Sequence, residues 1–346
     1  MHKIQTAIIG YGMSGRYFHL PPLIHHPNYH IKYIMTRNEN TQKELNEAYP
    51  TIDIITDYHV ALEDEAIELI IIATSNDVHY SYTKEAILHK KHVVCEKPFV
   101  DTYTKAKELF DLAQKNQVIL RVFHNRQYDG DILTIKKVLK SYDFGQIVSF
   151  TARFDTFDPT INSNWRWQEG MMAGVYYDLA PHLVHDVVAL FGMPNLISNT
   201  LFDDRMGTKV DDHFEMALYY NDLTCFIGAH KLDRDPHPRF EIIGTKATYV
   251  KYGFDQPDLV QYATDEIYQT SNLRSELIYD TEHRQAIPLL KGEHFRFYDL
   301  LAHHIDEYPE EDIDQHLALQ VILIMQLGLV SHQTKQLMKV PHKDLG

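Results

Sequence analysis

The feature that most constrains this chain is Gly10-Tyr11-Gly12-Met13-Ser14-Gly15, a G-x-G-x-x-G placed directly after an apolar run at residues 3–9 and directly before a segment able to be helical. In that setting each glycine has its own task. The first permits a tight turn out of a strand, the second lets backbone approach a pyrophosphate, and the third lets the next helix pack close to the sheet. Free amides at the helix start, with Met13 and Ser14 beside them, then face phosphate oxygens. A chain that begins so must complete a dinucleotide-binding β-α-β sheet, and whatever follows must bring a substrate to it.

The next residues read as that completion. Pro21 and Pro22 should kink or restart the first helix near His19. A second strand at residues 30–35 runs into Thr36 and Arg37, where an NAD site usually offers an acid to the ribose. Arg37 instead offers a cation for a 2′-phosphate, so NADP is the preferred cofactor and NAD the alternative; stacking on adenine or facing solvent are the other roles open to Arg37. The continuous apolar run at residues 67–74 is what a parallel strand covered on both faces requires. Thr74, Ser75, Asn76 and His79 follow at its carboxyl end, where cofactors lie in open α/β sheets, although the same stretch also reads as a simple capped turn. A strand at residues 92–95 then ends in Glu96-Lys97-Pro98, delivering Glu96 and Lys97 to the glycine-loop edge. An ammonium there can hydrogen-bond a substrate hydroxyl and favour its alkoxide as hydride departs; the alternative is a surface lysine. A helix at 102–115 and a strand at 118–122 close a first domain at residues 1–123.

Residues 124–346 carry a different pattern: a helix at 131–141, strands at 146–154, 213–220, 223–230, 239–244 and 247–252, and a helical C-terminal run at 312–338. The Asn221-Asp222 pair between two strands signals a hairpin. Two domains suit a length of 346 residues. A net charge of −15 without any basic stripe argues against nucleic acid and against an anionic membrane surface. The start is not signal-like, no apolar run approaches a membrane helix, and Cys95 and Cys225 each lie in an apolar stretch, so a reducing cytoplasmic setting with two plain buried thiols is expected. His182-x-x-His185-Asp186 and His303-His304 are the places to ask about metal; neither has a zinc spacing, and no metal is expected.

With GYGMSG, ATSNDVH and CEKPF in register, and with HNRQYDGD at 124–131 and GVYYDLAPH at 174–182, the chain resembles the Gfo/Idh/MocA family of oxidoreductases over nearly its whole length. The HNRQYDGD, WRW and YDLAPHLVHD stretches look most like its NADP-type scyllo-inositol dehydrogenase branch. The resemblance implies an α/β fold: an N-terminal Rossmann doubly wound parallel sheet, then a C-terminal α+β domain with a large, mainly antiparallel open sheet that serves substrate binding and oligomerisation as a homodimer or homotetramer. It implies hydride transfer between a secondary alcohol of a sugar, polyol or cyclitol and the nicotinamide. There are departures: Ala173 and Ala180 stand where the family favours glycine, and His185 where an Asp commonly follows His182 by three, with Asp186 one step round the helix.

Asp178 and His182 are four apart, so on a helix they share a face. Alone, that pair is most simply a helix salt bridge. Together with Lys97 and the resemblance it becomes the catalytic set, His182 as general acid/base and Asp178 as its orienting partner or a hydroxyl ligand. Asn125 and Arg126, from the N-R-x-x-D stretch, and Arg153 are further substrate-side candidates, either arginine being equally able to sit in a structural ion pair. Trp165, of Trp165-Arg166-Trp167, could wall a sugar face or anchor its loop. A dinucleotide-binding sensor of the same fold, or a reductase of a non-sugar carbonyl or conjugated double bond, are the rival functions.

Overall fold

The computed structural model describes residues 2–161, 167–170, 172–254, 273–308 and 313–342. It forms two compact units that divide between Phe123 and His124, and the segment 294–308 belongs to the first of them. A single cut at residue 123 therefore leaves out a helix, α8 (Arg296–Asp306). The reason is an apolar face: Phe297, Tyr298, Leu301 and Ala302 are buried, and the Phe297 ring meets Phe123 edge-on at 4.8 Å.

In the first unit six parallel strands, β1 (Ile4–Ile9), β2 (Tyr29–Met35), β3 (Asp53–Ile55), β4 (Leu69–Ile72), β5 (His92–Cys95) and β6 (Leu120–Val122), lie in the order β3-β2-β1-β4-β5-β6. Ile70, Ile71, Ile72, Val93 and Val94 are fully buried, which explains why these strands are continuous apolar runs rather than alternating ones. The connecting helices are α1 (Leu20–Ile24), α2 (Glu39–Ala48), α3 (Tyr58–Glu63), α4 (His79–Leu88) and α5 (Tyr103–Asn116). A π-helical turn, Gly15–His19, precedes α1, which restarts with Pro21 and Pro22 in its first turn, where no amide is needed. Asn38 caps α2 by accepting the Thr41 amide at 3.0 Å. Strand order reverses between β1 and β4, so the crevice for a ligand opens at the carboxyl ends of those two strands.

The second unit contains α6 (Gly130–Ser141), β7 (Ile147–Arg153), α7 (Gly174–Phe191), β8 (Leu196–Phe202), β9 (His213–Tyr219), β10 (Thr224–His230), β11 (Phe240–Gly244), β12 (Thr248–Tyr252), β13 (Arg274–Ile278), β14 (Arg284–Ala286) and β15 (Met338–Lys339), together with most of α9 (Ile313–Thr334). Among the described residues its strands form one nine-stranded sheet, β14-β13-β12-β11-β7-β10-β9-β8-β15, antiparallel except where β7 meets β10. Alternate residues of the central strands (Phe150, Ala152, Phe214, Met216, Cys225, Ile227) join one core with Val175, Tyr176, Leu183 and Val184 of α7 and Val321 and Ile324 of α9. The intervening positions, among them Arg153, His213, Glu215 and Phe226, point to the other face. Both cysteines are buried free thiols.

One expectation is corrected by α9. Its stretch Asp314–Thr334 is long and apolar enough to cross a membrane by length and composition, with an 18-residue window of mean hydropathy 1.4 of which 44% is buried within the fold. The sequence hides this because Gln320 and Gln326 interrupt the apolar run without lowering its average far.

Candidate active site

The glycine loop is built from two close approaches and one open space. Gly10 has φ +102°, and a Cβ there would lie 2.3 Å from the Ala73 carbonyl oxygen at the end of β4. A Cβ on Gly15 would lie 2.2 Å from the Gly10 carbonyl oxygen. Strand end, loop and helix start are thus layered with no room for a methyl group. At Gly12 a Cβ would meet nothing within 4 Å. This is where a pyrophosphate needs backbone access, so the residues present fit a bound dinucleotide. Met13 is exposed and Ser14 half-buried beside this opening. Thr36 is buried at the end of β2, and Arg37 beyond it is exposed, its Nε 3.4 Å from the Thr56 carbonyl oxygen. Thr74 and Ser75 are half-buried and Asn76 is buried at the carboxyl end of β4.

Lys97 follows β5 at the same edge, joined to Pro98 by a cis peptide bond. Its flanking backbone is held on both sides. The Lys97 amide donates to Glu96 Oε2 at 3.0 Å, and His79 Nδ1 donates to the Pro98 carbonyl oxygen at 2.9 Å. His79 is fully buried, with Nε2 also 3.3 Å from the Thr74 carbonyl oxygen. That corrects its assignment as a cofactor contact: at the first turn of α4 its ring is enclosed with both nitrogens against backbone carbonyls, where burial lowers its pKa and its work is to brace the lysine turn. Glu96 is buried too. Its Oε1 receives His19 Nε2 at 3.0 Å and the Ser14 hydroxyl, while His19 Nδ1 lies 2.5 Å from the Tyr298 hydroxyl. Burial alone would raise the Glu96 carboxyl; the His19 hydrogen bond and charge, the Ser14 hydroxyl and the Lys97 charge outweigh it and hold it below its ordinary value.

In the second unit α7 carries Asp178, half-buried, and His182, buried, one turn apart as the spacing predicts. The helix starts at Gly174, φ +91°, because Asp211 crowds that position and accepts the Tyr176 amide at 2.6 Å. His182 meets the Phe154 ring edge-on at 6.4 Å, and Phe154 is flanked by the guanidinium groups of Arg239 at 3.8 Å and Arg126 at 5.0 Å. Arg126 also pairs with Asp129 at 2.9 Å, and Asn125 begins the same short turn. His185 stacks on His124 with centroids 4.7 Å apart, beside Asp186, whose pKa burial raises. Lys231 gave no signal in the sequence. It is half-buried, its Nζ 3.4 Å from Thr156 Oγ1; burial lowers its pKa and Asp178 is the foremost charge opposing that.

For Arg153 the structure shows the ion-pair alternative. Its guanidinium is taken by Asp155 at 2.5 Å and Glu215 at 2.6 Å. The pleat explains why: Phe150 and Ala152 face α7, so Arg153 faces the opposite side of the sheet from His182. Trp165 lies outside the described residues, while Trp167 is stacked under the Arg205 guanidinium at 4.1 Å. Two groups away from the places considered for metal, Asp204/His213/His230 and Asp155/Asp233/His237, each bring possible ligand atoms within 4.8 Å. In the first group the Leu232 amide donates to His230 Nδ1, which puts the ring proton on Nε2, facing Asp204 at 3.2 Å rather than offering a lone pair. In the second, Arg153 already occupies Oδ2 of Asp155, the oxygen that faces His237.

Residues 4–124 match the profile of the oxidoreductase family with an NAD-binding Rossmann fold, and residues 132–250 match that of the Gfo/Idh/MocA C-terminal domain. This chain belongs to the Gfo/Idh/MocA family. Its relatives include the uncharacterized oxidoreductase YdgJ of Escherichia coli, 30% identical over 95% of this chain and 96% of that one, and the scyllo-inositol 2-dehydrogenase (NADP(+)) IolW of Bacillus subtilis, 28% identical over 98% and 96%. Among solved structures, YvaA of Bacillus subtilis superimposes with TM-score 0.90 at 28% identity, covering 98% of this chain and 99% of that one. The protein is therefore an oxidoreductase of a dinucleotide-binding family, with a Rossmann domain and a mainly antiparallel second sheet.

Proposed function

We propose that this Gfo/Idh/MocA oxidoreductase moves hydride between a secondary alcohol of a sugar or cyclitol, inositol-like in chemistry, and the nicotinamide of NADP. The observation that carries the reading is the turn at Lys97, hydrogen-bonded on both flanks at the sheet edge that also bears the open glycine loop. The cofactor, when bound, supplies the hydride acceptor or donor; the protein supplies placement and proton transfer. Gly12, Ser14 and the α1-side amides hold the pyrophosphate, and Arg37, exposed beyond β2, meets a 2′-phosphate. Lys97 hydrogen-bonds the reacting hydroxyl and stabilises its alkoxide. His182 takes or returns the hydroxyl proton, and Asp178 orients it or binds a neighbouring hydroxyl. Two relatives named as NADP(+)-dependent scyllo-inositol 2-dehydrogenases support the cofactor and the polyol class. The outward sheet face, with Phe202 and Phe226 exposed, supports assembly into a homodimer or homotetramer, and a cytoplasmic setting goes with this reading.

The test is the full-length protein with NADP⁺ and a panel of inositols, sugars and polyols, followed at the reduced-nicotinamide absorbance. Turnover on a polyol that Lys97→Ala abolishes, with cofactor binding retained, is the expected result. Tight binding with no turnover on any panel member would instead make the protein a sensor, and undiminished turnover by Lys97→Ala would remove that residue's role.

A further inference from the structure

Residues that neither contact a reacting atom nor belong to the glycine motif connect the lysine turn to the C-terminal part of the first unit. His19 is fully buried between two partners, Glu96 Oε1 at 3.0 Å from Nε2 and the Tyr298 hydroxyl at 2.5 Å from Nδ1. Its ring lies 4.2 Å from Phe123, and Tyr298 is itself fixed by the Tyr29 hydroxyl, which donates to the Tyr298 carbonyl oxygen at 2.8 Å. Tyr298 is fully buried, and burial raises its pKa well above the ordinary value, so it keeps its proton. The two ring nitrogens serve the two contacts separately, with Nε2–H donating to the Glu96 carboxylate and Nδ1 facing the tyrosine hydroxyl. Glu96 in turn holds two parts of the proposed cofactor edge with different oxygens. Oε2 accepts the Lys97 amide and Oε1 accepts the Ser14 hydroxyl of the glycine loop.

We infer that His19, held by Tyr298, is a positioning residue for Lys97: by donating to Glu96 it fixes the one carboxylate that ties the lysine turn to the glycine loop. This rests on the reading of Lys97 as the hydroxyl-binding residue. A buried carboxylate with one donor removed is both less stable as an anion and freer to move. A displacement of about 1 Å at a residue that orients substrate costs on the order of 10²-fold in rate. The groups facing Glu96 are His19, Ser14 and Lys97, with His79 and Tyr298 within electrostatic reach. Of these, His19 is the foremost one lowering its pKa, so removing His19 moves Glu96 protonation to higher pH.

The experiment compares His19→Leu, His19→Gln and Tyr298→Phe with Lys97→Ala in the full chain. For His19→Leu, kcat should fall about 10–100-fold, the NADPH Kd should stay within about threefold, and the acidic limb of the kcat profile should move to higher pH. His19→Gln, which can still donate to Glu96, should restore most of both changes, and Tyr298→Phe should show a smaller loss in the same direction. Infrared spectra of the cofactor-free protein give a readout that needs no turnover. The carboxylic-acid band of protonated Glu96, assigned by its loss in Glu96→Gln, should grow in at higher pH in His19→Leu than in the wild type. If Lys97→Ala is inactive but His19→Leu keeps wild-type kcat and an unmoved band, the brace is wrong and the reading of Lys97 stands. If His19→Gln fails as badly as His19→Leu, packing rather than the hydrogen bond is at work, and the inference is overturned. Should Lys97→Ala keep full turnover, the underlying reading fails instead.

Discussion

Replacing Gly12 and Gly15 separately by alanine distinguishes a loop shaped for its own packing from one shaped for a ligand. At Gly15 the new Cβ would lie 2.2 Å from the Gly10 carbonyl oxygen, and Gly10 cannot yield toward β4, because its own α-carbon already sits where a Cβ would come 2.3 Å from Ala73. Opening the contact to ordinary van der Waals distance needs a backbone shift of roughly 1 Å, an overpacking cost of about 1–3 kcal/mol. For a chain of this size that is a Tm lower by roughly 2–10 °C. At Gly12 the added methyl group meets nothing within 4 Å and φ is not left-handed. The cost to the fold is within about 0.5 kcal/mol, and a small gain is possible from the stiffer unfolded chain. With NADPH the order reverses. The methyl group of Gly12→Ala stands where phosphate must approach, and losing one charge-assisted hydrogen bond of about 1.5–3 kcal/mol raises Kd about 10–100-fold. Thermal unfolding of the two variants with and without NADPH reads both effects. A Gly12→Ala protein that binds NADPH as tightly as the wild type would refute the placement of the pyrophosphate, whatever its Tm.

Two further perturbations follow from the structure. Arg37→Ala should weaken NADPH binding about tenfold while leaving NADH binding unchanged, since the 2′-phosphate proposed to meet its exposed guanidinium is absent from NADH; equal effects on both cofactors in calorimetric titration would show that it serves adenine instead. The outward-facing pair His213–Glu215 should give stability a pH window. The hydrogen bonds to Glu215 and Asp204 outweigh burial and raise His213, so its contribution is present below the ordinary value of 6.5 and is lost as pH rises through the raised one. Burial is likewise outweighed at Glu215, which His213 and Arg153 hold at about 2, so its contribution is present above the ordinary 4.5 and is lost as pH falls toward 2. Both are present between about 4.5 and 6.5, and His213→Gln should flatten the alkaline fall in Tm, the effect being ~1 kcal/mol after solvent screening.

The first unit was legible because its grammar is local. Strands covered on both faces are apolar without interruption, and residues 67–74 contain β4 in full. Asn38 and the Pro21-Pro22 pair act on their own backbone, so capping and restart could be read from neighbours. What was lost depends on distant partners. In β8 the inward residues are Ile197, Asn199 and Leu201, and the polar middle one breaks the apolar alternation; its amide donates to the Gly328 carbonyl oxygen of α9 at 3.2 Å. The apolar face of α8 is visible in the sequence, but its attachment to a sheet far upstream is not. His79 stood at the correct strand end, yet whether its ring faced a cofactor or the protein's own backbone turned on Pro98, nineteen residues on. Arg153 is different: the alternation of Phe150 and Ala152 already placed it on the sheet face opposite the one that packs on α7.

The departure at His185 leads to the last expectation. Positions three and four beyond His182 both lie on the face of α7 below it, so an acid moved from 185 to 186 stays one turn beneath the proposed base. The price is burial. Asp186 is 2% exposed and its Oδ1 has no hydrogen-bond partner among the described residues, while His185 Nδ1 stands 3.9 Å away and has turned to stack on His124. Burial raises the Asp186 pKa above the usual 3.8 despite the nearby His185 ring and the charge of Arg239. A raised acid contributes stability that is complete below its unfolded value and is lost as pH rises through its folded one, so at neutral pH this carboxyl works against the fold. Asp186→Asn keeps the shape and removes the ionisation. Its Tm should equal or exceed the wild type at pH 8, and the difference should shrink as pH falls toward 4. If turnover falls at the same time, the carboxyl is kept at a cost in stability because the site beneath His182 needs an acid. A lower Tm at pH 8 would mean instead that the carboxylate is a net support of α7, and the family acid would then have been replaced by a structural one.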